Sequence, residues 1–262
     1  MEIIIGLLII AVGAFCQSSC YVPINKIKNW SWESYWIVQG VFAWLVFPFL
    51  GALLAVPDGH SLFEVYAAHP ADTLWAMFFG VLWGVGGLTF GLSMRYLGVA
   101  LGQSISLGTC AGLGTILTPI FTGHMEELTM PVIVGVIVTL LGIGIIGYAG
   151  NMKSASLSEE EKKKAVKDFN FTKGIFVALL AGFMSACFSI GLGFGQSLCF
   201  PESAEVYKTL PATLMVTAGG FLTNMVYCFY QNAKNKTWGD YGKTSLYVNN
   251  ILFCALAGVL WY

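Results

Sequence analysis

Two patterns constrain this chain before any other feature. Its apolar residues come in eight long blocks, and the basic residues between the blocks alternate from gap to gap. The blocks run Ile3–Tyr21, Tyr35–Val56, Thr73–Leu92, Leu97–Pro119, Met130–Tyr148, Thr172–Gly193, Leu210–Tyr230 and Leu246–Tyr262. About 20 apolar residues rising 1.5 Å each cross the roughly 30 Å of bilayer hydrocarbon, so each block reads as a transmembrane helix. Lipid offers no partner to a backbone amide, and a helix satisfies its own. The fold class is therefore an all-α polytopic membrane protein with eight transmembrane helices.

The gaps set the orientation. Of the 13 Lys and Arg residues, all except Lys208 lie in or beside the first, third, fifth and seventh gaps. They are Lys26 and Lys28, then Arg95, then Lys153, Lys162, Lys163, Lys164, Lys167 and Lys173, then Lys234, Lys236 and Lys243. Basic loops stay in the cytoplasm, which predicts an external N-terminus. The second, fourth and sixth gaps carry Asp58, Glu64, Asp72, Glu126, Glu127, Glu202 and Glu205 and are expected outside. The first block is not read as a cleaved signal, because Glu2 precedes it and no basic residue does.

With 56% hydrophobic and 10% charged residues, no soluble domain is left over. The net charge of −1 says nothing about nucleic-acid partners, but no basic face with interleaved aromatics is present, so none is expected; the bilayer is the expected environment. Cys16, Cys20, Cys110, Cys187, Cys228 and Cys254 fall inside blocks and read as small apolar side chains. His60, His69 and His124 are scattered through outward gaps, so no metal site is expected.

Five blocks precede a charged segment and three follow it, which divides the chain into 1–149, a linker over 150–171, and 172–262. Within the linker Ser158 and Glu161 have capping-box spacing, and Glu159 with Lys163 and Glu160 with Lys164 pair at i,i+4, so a short cytoplasmic helix is expected. Because five is odd, a second repeat would enter the membrane inverted, as in carriers that bind substrate between two halves. Gly13–Ser18 and Met184–Ser189 share a small, aromatic and polar pattern at mid-span. Ten helices in a five-plus-five arrangement would need two more spans than this chain has, so 172–262 reads as an incomplete repeat.

Glycines at four-residue spacing, Gly80/Gly84, Gly98/Gly102 and Gly108/Gly112, let helix backbones approach closely. Two uses are open: static packing, or faces that slide as a carrier alternates access. Gly84-Val85-Gly86-Gly87 is not a nucleotide loop, since it sits inside an apolar block, and no Walker pattern occurs.

The polar residues inside the blocks point to a ligand. Gln17, Ser18, Ser19 and Tyr21 lie in the first, Gln39 and Trp44 in the second, Trp83 and Thr89 in the third, and Gln103, Ser104, Ser106, Thr109 and Thr115 in the fourth. Ser185 and Ser189 follow in the sixth, Asn224 and Tyr227 in the seventh, and Asn249 and Asn250 in the eighth. Amides and hydroxyls pair with sugar hydroxyls, and aromatic rings cover sugar C–H faces, so a neutral polyhydroxylated ligand fits. The candidate substrate-binding residues are Gln17, Tyr21, Gln39, Trp83, Gln103, Ser189 and Asn224. For a lone Ser or Thr, bonding back to its own helix is the expected use. The amides serve either a cavity or interhelical bonding.

No Asp or Glu falls near the middle of a block, so no proton relay is visible. Glu33 and Asp72 sit near block ends and read as interfacial anchors, with titration in a vestibule as the alternative; Trp30, Trp32 and Trp36 read as an interfacial belt. No nucleophile, base and oxyanion donors group together, so neither an enzyme nor a cofactor is expected.

The segment Cys20-Tyr21-Val22-Pro23-Ile24-Asn25-Lys26-Ile27-Lys28-Asn29-Trp30-Ser31-Trp32-Glu33-Ser34-Tyr35-Trp36 resembles the first cytoplasmic loop of the L-rhamnose/proton symporters, of the drug/metabolite transporter superfamily. The stretch from Trp83-Gly84-Val85-Gly86 through Gly91-Leu92-Ser93-Met94-Arg95-Tyr96-Leu97-Gly98 to Thr118-Pro119-Ile120 is similar to that family's third and fourth spans. The resemblance implies a multi-pass carrier of the bacterial inner membrane, ten spans in two inverted halves, whose partners are L-rhamnose or a related sugar and protons. A drug/metabolite exporter of the same superfamily and a non-transporting membrane scaffold are the alternatives.

Overall fold

The computed structural model describes residues 2–156 and 168–262. All regular structure among the described residues is helical. Eight helices are long and apolar enough to cross a membrane: Ile4–Ile24, Trp32–Leu54, Pro70–Leu97, Val99–Thr122, Met130–Lys153, Phe171–Leu198, Leu210–Asn235 and Thr244–Trp261, the first to eighth spans. The fifth helix runs on past Gly150 to Ser156, beyond the expected start of the linker. The expected helix over Ser158–Lys164 lies outside the described residues.

The third span is the centre of the bundle, packed against the sixth and the seventh. The fourth lies on the sixth and carries the fifth, while the second lies between the seventh and the eighth and the first leans on the eighth. Glycine makes the central contacts close. A methyl group on Gly80 would fall 2.1 Å from the Val216 carbonyl oxygen, and one on Gly219 would fall 2.0 Å from that of Met77. Gly84 meets Thr223 and Gly220 in the same way, so the Gly80/Gly84 face is a packing surface against the seventh span. Gly98 has another use. At φ 82° and ψ 162° it makes the one-residue turn between the third and fourth spans, a conformation that side chains oppose.

The second span is interrupted by a π turn over Phe42–Val46. Pro48 explains it: proline has no N–H, and its ring would collide with the carbonyl of Trp44 in a regular helix. Widening the turn relieves the collision, and the Phe47 N–H reaches back to the Phe42 carbonyl. Hydroxyls inside the spans bond largely to their own helices, as Ser18 to Ala14, Thr89 to Val85, Thr115 to Ala111 and Thr217 to Thr213. All seven cysteines are free thiols.

Candidate functional site

The π turn faces Trp44 into the junction of the second, third, seventh and eighth spans. Its ring stands edge-on to Trp36 at 5.9 Å, to Trp83 at 6.3 Å and to Trp261 at 5.6 Å. Trp83 also meets Trp261 at 5.8 Å and Phe188 of the sixth span at 5.1 Å. Trp32 stacks on Trp36 and touches Tyr227. Glycine makes room for the rings: a methyl on Gly40 would strike Trp44 and one on Gly220 would strike Trp83.

The buried polar groups on the second and seventh spans divide into two sets. Asn224, buried at 4% exposure, is satisfied: its Oδ1 accepts from Trp36 Nε1 at 3.0 Å and its Nδ2 donates to the Gly220 carbonyl at 2.9 Å. Gln39 and Trp44 are not. Gln39 is 1% exposed, yet both its amide oxygen and its amide nitrogen lack a protein partner, as does the indole nitrogen of Trp44. A buried polar atom left unpaired costs about 1–3 kcal/mol. Three of them within six residues of one span mark a place where stability is given up for something else. A donor, an acceptor and an indole N–H among flat rings suit a molecule with several hydroxyls and C–H faces.

Trp83 and Asn224 are thus brought to this junction, and Gln39 lies on the same span as Trp44 where that span meets Gly258 of the eighth. Gln17, Tyr21 and Gln103 are exposed, the first two at the peripheral first span, and Ser189 lies against Gly114 on the seam between the fourth and sixth spans. Trp36, Trp44 and Trp261 complete the box. Trp36 is not a belt residue, since its indole is engaged with buried Asn224. Trp30 is also buried, against Tyr241 and Tyr247. A cavity of about 450 Å³ between the second and seventh spans is lined by Leu45, Phe49, Phe63, Leu214 and Met215, and the Tyr66 hydroxyl on its wall is spent on the Pro211 carbonyl. It offers apolar surface to lipid and nothing to a sugar.

A second polar cluster joins the first and seventh gaps. Asp240, 6% exposed, accepts from the Ser31 amide at 2.7 Å and from Lys243 at 2.6 Å. The Ser34 hydroxyl stands 3.0 Å from both Asp240 Oδ2 and Asn232 Oδ1, so its one proton serves one acceptor at a time. Asn250 holds both the amide and the carbonyl of Lys28. Glu33 is not an interfacial anchor: at 5% exposure, its Oε1 accepts from Asn235 Nδ2 at 3.0 Å and Thr237 Oγ1 at 2.8 Å.

Burial pushes the Asp240 carboxyl up, but the hydrogen bonds from Lys243, Ser31 and Ser34 outweigh it and hold the group below the usual carboxylate range. Its contribution to stability is therefore complete above the unfolded value of about 3.9 and is lost as pH falls through the lower folded value. Asp240→Asn should cost about 2 kcal/mol of stability, read as a lower melting temperature of purified protein near neutral pH. Lys243 is 43% exposed, which tempers the charge component. The difference between variant and native protein should stay constant from about pH 5 to 8 and shrink only in stronger acid.

The family described as L-rhamnose-proton symport protein (RhaT) matches the chain over residues 1–262. The L-rhamnose-proton symporter of Yersinia pestis bv. Antiqua (strain Antiqua) is 33% identical over 274 aligned positions, covering 99% of this chain and 78% of that protein. The L-rhamnose-proton symporter of Yersinia pseudotuberculosis serotype O:1b (strain IP 31758) is also 33% identical, with 99% and 77% covered. No solved structure matches.

Proposed function

The chain belongs to the L-rhamnose-proton symport protein family, and on that premise we propose that it takes up L-rhamnose, or a closely related deoxy sugar, with a proton across the bacterial inner membrane by alternating access. The observation that carries the reading is the tryptophan box at the meeting of four spans, together with the unpaired buried Gln39 amide on one of those spans. In this reading Gln39 and the indole N–H of Trp44 bond the sugar hydroxyls, Asn224 holds the Trp36 indole in place, and Trp83 and Trp261 cover the sugar's C–H faces.

The same reading includes the drug/metabolite superfamily and an inverted five-plus-five plan. An inverted repeat equates the first, second and third spans with the sixth, seventh and eighth. The contact of the third with the sixth then corresponds to that of the eighth with the first, and third with seventh to eighth with second; all four pairs touch. The alternation of basic gaps supports an external N-terminus and, with it, a Glu33–Asp240 cluster on the cytoplasmic side.

The test is external pH in a lightly buffered suspension of energy-starved cells expressing the gene, on addition of L-rhamnose and then of other sugars. Alkalinisation specific to L-rhamnose is the expected result. Gene-dependent efflux of apolar amines without sugar entry would overturn it in favour of an exporter.

A further inference from the structure

We propose that Glu33 holds the coupled proton at the cytoplasmic end of the cycle, and that its ionised form latches that end shut. The inference rests on the symport reading above and adds a residue to it. A coupled proton needs a titratable group that is shielded from water in one state and reachable in another. Among the described residues only two carboxylates are buried, Glu33 and Asp240. His69 and His124 are about half exposed, and His60 lies in an outward loop.

The two carboxylates differ in what faces them. Both accept hydrogen bonds from neutral donors, but Asp240 is also matched by the Lys243 ammonium. Glu33 has no Lys, Arg or His within 4.0 Å among the described residues. Its hydrogen-bond partners are neutral donors, Asn235 and Thr237. The remaining charged groups of the packed elements are the Asp240–Lys243 pair on the turn after the seventh span, exposed Lys234 and Lys236 at that span's end, and Lys26 and Lys28 of the first loop; the weakly acidic ones are Tyr35, Tyr227, Cys228, Tyr230 and Tyr241.

The bonds of Glu33 cross from the second span to the end of the seventh. Lys236, with φ at 58°, ends that span in a left-handed turn that presents Thr237 to the carboxylate. Thr237 is poised between two acceptors, for its hydroxyl lies 2.8 Å from Glu33 Oε1 and 2.8 Å from Asn232 Oδ1. While Glu33 is ionised, the charge-assisted bond is the stronger. Protonation makes Glu33 a weak acceptor, and the one hydroxyl proton of Thr237 goes to Asn232. The second span and the end of the seventh then lose their link through Thr237, and the cytoplasmic end opens. The acid gives its proton to cytoplasmic water, and the restored carboxylate recaptures Thr237 and Asn235. An ionised latch keeps the cytoplasmic end shut until the proton arrives, while the protonated carrier with sugar bound is free to open and close, which is the exchange that counterflow reads.

The experiment compares wild type and Glu33→Gln in proteoliposomes. It follows two readouts: L-rhamnose-driven proton entry, and L-rhamnose counterflow, which needs no net proton movement. The wild type should show both, and its failure to move protons would count against the symport reading rather than this one. Glu33→Gln is expected to keep counterflow within about threefold of wild type, with the pH dependence flattened, while proton entry and uphill accumulation fall at least tenfold. Proton entry at the wild-type level, an unchanged counterflow pH profile, or loss of counterflow in a well-folded variant would each overturn the proposal. Should Glu33→Gln not be recovered from membranes, Glu33→Asp decides: a displaced pH profile with coupling retained supports the latch, and the wild-type profile overturns it.

Discussion

Gln39→Leu should give a protein that is more stable than the native one and at least tenfold slower in L-rhamnose uptake. Leucine approximates the volume of glutamine and removes two buried amide atoms that have no partner in the protein. Each such atom costs about 1–3 kcal/mol, so a gain of about 1 kcal/mol is a cautious expectation, seen as a higher melting temperature in detergent. Uptake moves the other way because the site loses a donor and an acceptor; one lost bond worth about 1.4 kcal/mol is already tenfold. Asn224→Ala supplies the opposite case. Asn224 is satisfied within the protein, and its removal orphans the Trp36 indole N–H, so this variant should lose stability as well as uptake. Opposite signs of stability change at two buried amides are hard to obtain from a purely structural cluster. Equal destabilisation by both would argue that Gln39 is interhelical glue.

Gly219→Val should leave no folded protein to assay. Its Cβ would stand 2.0 Å from the Met77 carbonyl oxygen, 2.9 Å from the Val81 nitrogen and 3.0 Å from the Gly80 carbonyl carbon, all backbone atoms of the third span. Side chains turn aside, but two helix backbones in contact have to separate. Overpacking into a yielding core costs about 1–3 kcal/mol, and a backbone collision at the centre of the bundle exceeds that range. Size-exclusion chromatography of the detergent extract should show aggregate in place of a monodisperse peak. Gly144→Val is the control: nothing lies within 4 Å of a methyl group there, and the fifth span is peripheral, so yield should be unchanged. A monodisperse Gly219→Val protein would mean that the third and seventh spans do not meet as described.

The spans were legible because lipid demands long apolar helices, and a run such as Met130–Tyr148 has no other reading. The Gly80/Gly84 face was legible too, though only the fold shows that it meets the seventh span and that Gly98, nominally of the same pattern, makes a turn instead. At the site, Gln39 and Asn224 stood out as amides in apolar surroundings, where burial without a purpose is costly. Trp36 did not, because an indole near a helix end has the same appearance whether it anchors at the interface or turns inward. Pro48 was the available signal for Trp44. A proline inside a span implies a local distortion around the residue four positions earlier. Glu33 and Asp240 were hidden for another reason. Both flank apolar blocks, where charge is cheap, and only the folding of the first loop onto the seventh buries them.

The most direct test of the sugar site is intrinsic fluorescence of the purified protein during titration with L-rhamnose. Four of the eight tryptophans, Trp36, Trp44, Trp83 and Trp261, line the proposed box. A saturable change in emission that is specific for L-rhamnose, and that is lost in Trp44→Phe while the melting temperature holds, is the predicted result. Saturable L-rhamnose transport with no change in emission, or an undiminished change in Trp44→Phe, would place the sugar elsewhere.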